Sequence, residues 1–266
     1  MNSRSKTLDR SPSDPQPTLL KNPVSVLLPI CNEKNHVAQI LNEWDAQVLQ
    51  YLPQGSELII EDASDDGTDA AIQAWISNHQ SYDVRFFHRE QRDGYFNAVY
   101  RLYTHARCPY VFISDADGQY VPSDFWKIVP YMNDYDMVHG VKALRNDPVY
   151  RVWSSGVFNL VSRVLFHHSF HDINSAHRLL KRDVVLQQLP QIRHMRVLLN
   201  AELFLRLYAG GFKIKEVDIG HRPRMEGKSK GLPASTYLRE SWNAFVGLIK
   251  LKRELKKASV APHPLG

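Results

Sequence analysis

The sequence predicts an α/β fold: a mostly parallel central sheet with helices on both faces, followed by a C-terminal amphipathic helix. Three observations predict it. From residue 23 onward, short runs rich in Val, Leu and Ile alternate with segments whose apolar residues recur at helical spacing, the pattern of strand and helix units. The run Tyr110-Val111-Phe112-Ile113 is apolar throughout, as a strand buried on both faces should be. The first, second and fourth runs each pass into a turn carrying carboxylates, and open parallel sheets bind ligands beyond the carboxyl ends of their strands.

Val24-Ser25-Val26-Leu27-Leu28 reads as the first strand, ended by Pro29. Asn32 and Glu33 then precede a helical pattern of Val37, Ile40, Leu41, Trp44, Val48 and Leu49. Glu57-Leu58-Ile59-Ile60 is the second strand, and the acidic turn at 61–68 leads into a helix over 70–77. Val84-Arg85-Phe86-Phe87 is the third strand, 95–105 the third helix and 110–114 the fourth strand.

Asp115-Ala116-Asp117-Gly118-Gln119 follows that fourth strand, and the rest of the chain is organised around it. Alternate residues on an extended chain project to the same side, so Asp115 and Asp117 can reach one hard cation together, with the Gln119 amide oxygen as a third ligand. Oxygen ligands alone favour magnesium or manganese over zinc. An isolated Asp-x-Asp is commonly just a solvated turn, because loops favour Asp and Gly. Its place at the end of a buried strand argues against that here.

Beyond Gln119 the spacing predicts a helix at 122–132, a strand at 136–140 and a long helix at 147–169. After Asp172-Ile173-Asn174-Ser175 come a short segment at 178–186, a helix at 200–209 closed by Gly210-Gly211, and a strand at 213–219. The stretch 221–230 is a basic loop suited to an anionic ligand. A last helix over 236–257 sets Trp242, Phe245, Leu248 and Ile249 beside Lys250, Lys252, Arg253, Lys256 and Lys257. The expected organisation is a disordered tail at 1–21, one domain at 22–232, an amphipathic basic helix at 233–258 and a second disordered tail at 259–266. His167, His168 and His171 have metal-like spacing, although His near a helix C-terminus is also favoured by the helix dipole.

Composition narrows the classes. With 266 residues, 43% hydrophobic and 23% charged, the chain is neither disordered nor fibrous and can bury one large core. A net charge of +5 suits an anionic partner without choosing among nucleotide, lipid phosphate, membrane surface and nucleic acid. Two cysteines, Cys31 and Cys108, are too few for a disulfide framework, and with no apolar signal core in residues 1–20 they predict a cytoplasmic protein. No stretch is apolar enough to span a bilayer, so any membrane contact is expected to be peripheral. Nucleic acid is not expected as a partner, for lack of a recognition motif.

The order Pro29-Ile30-Cys31-Asn32-Glu33, Glu61-Asp62-Ala63-Ser64, Asp115-Ala116-Asp117-Gly118-Gln119, Asp172-Ile173-Asn174-Ser175 and Arg224-Met225-Glu226-Gly227-Lys228-Ser229-Lys230 resembles the family 2 glycosyltransferases of the GT-A fold. Within them it is most similar to the dolichyl-phosphate mannose synthases and bacterial polyprenyl-phosphate glycosyltransferases, over roughly residues 23–232. The resemblance implies a metal-dependent, inverting transfer of one sugar from a nucleotide diphosphate sugar to a polyprenyl phosphate at a membrane surface. It implies that Pro29, Cys31, Glu33, Asp115 and Ala116 line the nucleotide-sugar pocket and that Asp62 contacts the base. Asp115, Asp117 and Gln119 match its site for a divalent metal, Mg or Mn. Lys142, Arg151 and Ser155 fall where the family places acceptor-phosphate groups. It also implies catalytic roles for Asp117 and for Arg224 and Lys230, which match the family's mobile basic loop. The partners it implies are the donor, the lipid acceptor, the membrane surface, and a membrane-spanning subunit or second copy.

Three departures stand out. Lys142 replaces a usual Arg, keeping the charge but losing bidentate geometry. Ala176-His177 replaces a usual Gly-Phe pair, and the family's common C-terminal membrane spans are missing from this sequence. A phosphate acceptor, with a second pKa of about 6, needs positioning more than a base. An alcohol acceptor would need one, and Asp172 and Glu202 are the carboxylates available. Two alternatives therefore stay open: transfer to a hydroxyl of a glycan or small molecule, and a non-catalytic sugar-nucleotide binding module.

Overall fold

The computed structural model describes residues 20–79, 81–142, 149–225 and 234–260, with backbone alone at 149–151, 234–238 and 258–260. The strands are β1 Val24–Ile30, β2 Glu57–Asp62, β3 Asp83–His88, β4 Tyr110–Ile113, β5 Met137–Lys142, β6 Arg178–Lys181 and β7 Ile214–Ile219. The α-helices are α1 Val37–Gln47, α2 Thr68–Ser77, α3 Tyr95–His105, α4 Phe125–Ile128, α5 Val149–Phe166, α6 Arg182–Gln188, α7 Leu199–Ala209 and α8 Ala234–Val260.

The strands form one sheet in the order β3-β2-β1-β4-β6-β5-β7. Its two faces follow from the alternation of side chains along each strand. Leu27, Ile59, Val111 and Ile113 point to a layer containing Leu102 of α3, Phe204 of α7 and Leu248 of α8. Val26, Leu28, Leu58, Ile60 and Phe112 point the other way, to Leu41 and Trp44 of α1, Ile72 of α2 and Phe125 of α4. Each such side chain contributes roughly 1.5–3 kcal/mol by leaving water. The sheet is therefore sealed on both sides, and only its edges are open to ligands.

β1, β2, β3 and β4 are mutually parallel, and β7 is parallel to β5. The chain runs outward from β1 to β3 and then returns to place β4 on the other side of β1. This reversal opens a crevice at the carboxyl ends of β1 and β4. β6 is antiparallel to both of its neighbours, pairing Ile113 with Arg178 and His139 with Arg178. Residues 172–177 consequently enter the sheet at the same edge that β4 leaves. The ends of β5 and β7 lie there too, and a bridge between Tyr120 and His221 joins the turns after β4 and β7.

Most expected elements are present with shifted ends. The helix expected at 122–132 is instead α4 flanked by 3-10 turns at Pro122–Asp124 and Val129–Tyr131, because Pro122 and Pro130 cannot donate helical hydrogen bonds. The segment at 178–186 divides into β6 and the start of α6. Residues 1–19 and 261–266 of the expected tails, and 226–230 of the basic loop, lie outside the described residues.

Candidate active site

β4 ends in Ile113, and the next residues turn out of the sheet with Ala116 buried beneath the two carboxylates. The Tyr95 hydroxyl, on the first turn of α3, donates to Asp115 Oδ1 at 2.8 Å. Asn200 of α7 donates in turn to the Tyr95 oxygen at 3.4 Å. Loss of water around Asp115, and then the negative charge of Asp117, push its carboxyl up to about 6, while Tyr95, Lys142 and Arg178 pull against that rise. Asp117 Oδ1 accepts the backbone N–H of Gln119 at 3.1 Å. Gly118 between them has φ 77°, and a Cβ there would lie 3.1 Å from Met225, so this turn requires glycine.

Arg224 closes the crevice from the β7 side. Its guanidinium donates to Glu33 Oε1 and reaches Asp117 Oδ2 at 3.5 Å. One cation thus joins the turn after β1 to the turn after β4. Glu33 is itself fixed, since its backbone N–H donates to Thr68 Oγ1 at 2.9 Å. The preceding Asn32, at φ 55°, exchanges hydrogen bonds with Asp65 at 2.8 and 3.0 Å, which suits a residue that tolerates the left-handed region. Cys31 Sγ donates to the Ala63 carbonyl at 3.5 Å, and Pro29 is half-buried at the end of β1.

Asp62 is buried with both oxygens engaged: Oδ1 accepts from Ser64, and Oδ2 lies 2.7 Å from His88 Nδ1. Gln119, whose side chain is expected as a third metal ligand, has its side-chain amide nitrogen 3.5 Å from the Arg222 carbonyl, and its backbone carbonyl accepts the Arg222 N–H at 2.8 Å. It fastens the two turns to each other. Lys142, at the end of β5, lies over the Tyr120 ring at 5.0 Å. Tyr120 stacks on the buried His177 at 5.2 Å. Ser155 is half-buried on α5. The Arg151 side chain and all of Lys230 lie outside the described residues.

Of the two carboxylates considered as bases, Glu202 is a structural group. It is fully buried and accepts the backbone N–H groups of Arg193, His194 and Met195 at 3.0, 2.8 and 2.6 Å, with Arg206 at 2.8 Å. Asp172 is buried at the cleft edge, its N–H donating to Glu216 Oε1 at 3.3 Å. The histidines with metal-like spacing do not converge. His168 packs among Phe170, Phe204 and Tyr208 with Ser162 Oγ 2.9 Å away, whereas His171 pairs with Glu216 at 3.0 Å.

No group of three or more His, Cys, Asp or Glu placed to hold a metal occurs among the described residues. The Asp115 and Asp117 pair nevertheless fits a hard divalent ion. Burial first, and then the neighbouring charge of Asp117, disfavour a bare Asp115 carboxylate, a cost that such an ion offsets, and two protein carboxylates leave positions for phosphate oxygens.

Sequence reasoning missed Tyr95, Asn200 and Arg178. Arg178 is fully buried and donates to the carbonyls of Ser175, Ile173 and Asn200, fixing the 172–175 turn beside Asp115. Only its charge inside an otherwise apolar strand pattern could have drawn notice.

The Glycosyl transferase family 2 model matches residues 25–188. Undecaprenyl-phosphate 4-deoxy-4-formamido-L-arabinose transferase of Pseudomonas aeruginosa (strain LESB58) is 25% identical over 210 residues, covering 78% of this chain and 60% of the relative. The protein of that name from Shewanella sediminis is 26% identical over 210 residues, covering 78% and 61%. The chain thus spans about 60% of the length of these relatives. Glucosyl-3-phosphoglycerate synthase from Mycobacterium tuberculosis, solved with Mn2+, UDP and phosphoglyceric acid, aligns with a TM-score of 0.63 at 17% identity, covering 92% of this chain and 81% of that one. That likeness bears on the fold, which is the expected GT-A arrangement of a mostly parallel sheet between helical layers. With the family model spanning β1 to α6 and the carboxylate pair at the crevice between β1 and β4, this chain belongs to glycosyl transferase family 2.

Proposed function

We propose that this protein is an inverting glycosyltransferase that moves one sugar from a nucleotide diphosphate sugar to a polyprenyl phosphate at a membrane surface. The observation that carries the reading is the coupled Asp115 and Asp117 pair, with Arg224 facing it across the crevice. The relatives named as undecaprenyl-phosphate transferases support the acceptor class.

In this reading Pro29, Cys31, Glu33 and Ala116 line the donor pocket, and Asp62 shapes its base end through Ser64 and His88. Asp115 and Asp117 would hold Mg or Mn, which when bound offsets charge growing on the leaving diphosphate. Tyr95 holds Asp115 in place. Arg224 adds positive charge at the other side of the crevice and helps exclude water from the donor. Lys230 belongs to the same assignment by its place in the basic loop. Lys142, Arg151 and Ser155 receive the acceptor phosphate, which is already a nucleophile near neutral pH. The full engagement of Glu202 with backbone N–H groups and Arg206 supports an acceptor that needs no such base.

No helix among the described residues is long and apolar enough to cross a membrane. Contact with the bilayer is assigned to α5 and α8, where Trp153 is 74%, Leu160 53%, Val164 65%, Trp242 69% and Ile249 46% exposed. Each is a large apolar group facing water, and Lys250, Arg253, Lys256 and Lys257 are exposed on α8. Phe158 and Leu165 of α5, and Phe245 of the apolar stripe predicted for the last helix, instead pack into or against the core. Incubation with a panel of nucleotide sugars tests the donor half of the proposal: metal-dependent release of nucleoside diphosphate from one of them is expected, and no release with any of them would refute it.

A further inference from the structure

The loop at 193–198 and α8 enclose a cavity of about 300 Å3, at the small end of ligand pockets. Its polar wall comprises Arg193, His194 and Arg196 from the loop with Glu240, Asn243 and Lys250 from α8. α8 can lie this close because of Gly247: a Cβ there would sit 2.5 Å from Met195 Cγ and 2.7 Å from the His194 carbonyl oxygen. The loop is held from below by Glu202 through the three backbone N–H groups already described. Glu254 of α8 ties it further, accepting from Arg206 at 3.1 Å and from His194 at 2.5 Å. The cavity walls are therefore built before any ligand arrives.

The charges in these walls are not all balanced. Arg193 pairs with Glu254 at 3.0 Å. Arg196 lies over the Phe96 ring at 5.0 Å, and neither it nor Lys250 has a carboxylate partner among the described residues. Stacking on Phe96 restricts the guanidinium at little cost to its donors. The surroundings are apolar: Val197 lines the cavity and is exposed, as are Trp242 and Ile249. At 100° per residue, these two occupy the helical face next to Asn243 and Lys250.

We propose that this cavity binds the phosphate headgroup of an anionic membrane phospholipid, at a site separate from the one that receives the reacting polyprenyl phosphate. Arg196 and Lys250 provide two donors for one phosphodiester, while Val197, Trp242 and Ile249 meet the acyl chains. The site would fix the orientation of the crevice to the bilayer, since Phe96 adjoins Tyr95, the partner of Asp115. This rests on the reading that α5 and α8 lie on a membrane.

Calorimetric titration with dihexanoyl phosphatidylglycerol, below its micelle concentration, tests the site without a bilayer. Saturable binding at one site per chain is expected, with no binding of dihexanoyl phosphatidylcholine. Arg196→Gln with Lys250→Gln should weaken it at least tenfold. Arg253→Gln with Lys257→Gln, which removes the same charge outside the cavity, should leave it unchanged. Gly247→Ala, which alters no charge, should weaken binding by displacing the loop. Equal weakening by both charge pairs, or equally tight binding of inorganic phosphate, would overturn the headgroup site. Flotation of the intact chain with phosphatidylglycerol liposomes is measured alongside. Flotation without monomer binding refutes the site and leaves membrane docking standing, whereas absence of both removes the docking reading as well.

Discussion

The Tyr95 hydroxyl donates to Asp115 Oδ1 at 2.8 Å, joining the N-terminal turn of α3 to the turn that leaves β4. Asn200 holds the same hydroxyl from α7, so two helices from one face of the sheet determine where one carboxylate of the pair points. A charged hydrogen bond of this kind is worth about 1.5–3 kcal/mol. Tyr95→Phe should keep the fold and raise the divalent-ion concentration needed for half-maximal turnover by about tenfold or more. Metal titrations of initial rate measure it, and an unchanged midpoint would remove Tyr95 from the site.

Asp117→Asn should leave the melting temperature near that of the parent and lower transfer by roughly 100-fold or more, because an amide lacks the charge that holds a divalent ion at the diphosphate. Initial rates with saturating donor check it. Near-parental turnover with the same metal dependence would dismiss the metal assignment.

Glu202 separates a structural role from a catalytic one. Glu202→Gln weakens three backbone contacts and leaves Arg206 buried with Glu254 as its remaining carboxylate. A loss of about 3–5 kcal/mol in unfolding free energy is expected from breaking such a pair. Turnover per folded molecule should stay within a few-fold of the parent. A large loss of turnover with intact stability would restore Glu202 as a base.

His177 is buried against Phe112 and Tyr120, with Nδ1 3.0 Å from Ser114 Oγ. Burial, and then the charge of Lys127, lower its imidazole to about 3; burial and Arg163 lower His168 to about 4. The folded chain therefore holds these rings neutral where the unfolded chain protonates them. Their contribution to stability is complete above about pH 6.5 and is lost as pH falls from there toward 4 and 3. Urea midpoints between pH 7 and 4 should fall steadily, and His177→Phe, with no ring nitrogen to protonate, should flatten the decline. An identical pH slope in the variant would refute this cause.

The carboxylate pair and the alternation of elements were legible because both are local: an apolar run followed by Asp115 and Asp117 declares a strand end and what lies beyond it. Arg224 was legible only through a family likeness, since its meeting with Glu33 depends on β7 being parallel to β5. Tyr95, Asn200 and Arg178 were not legible. They converge through the antiparallel insertion of β6 and the hydrogen bond from Asn200 of α7 to Tyr95 of α3, which no spacing along the chain records. α5 shows a finer failure. Its apolar residues were evident, but which of them face outward depends on helical phase, so Phe158 and Leu165 joined the core while Leu160 and Val164 did not.

The most direct test of the account is the mass of the product formed from the active nucleotide sugar and a short polyprenyl phosphate. The account predicts a new species heavier than the acceptor by one glycosyl residue, linked through its phosphate with inverted anomeric configuration, and absent with Asp117→Asn. Transfer only to free hydroxyl acceptors, or a phosphate-linked product of retained configuration, would contradict it.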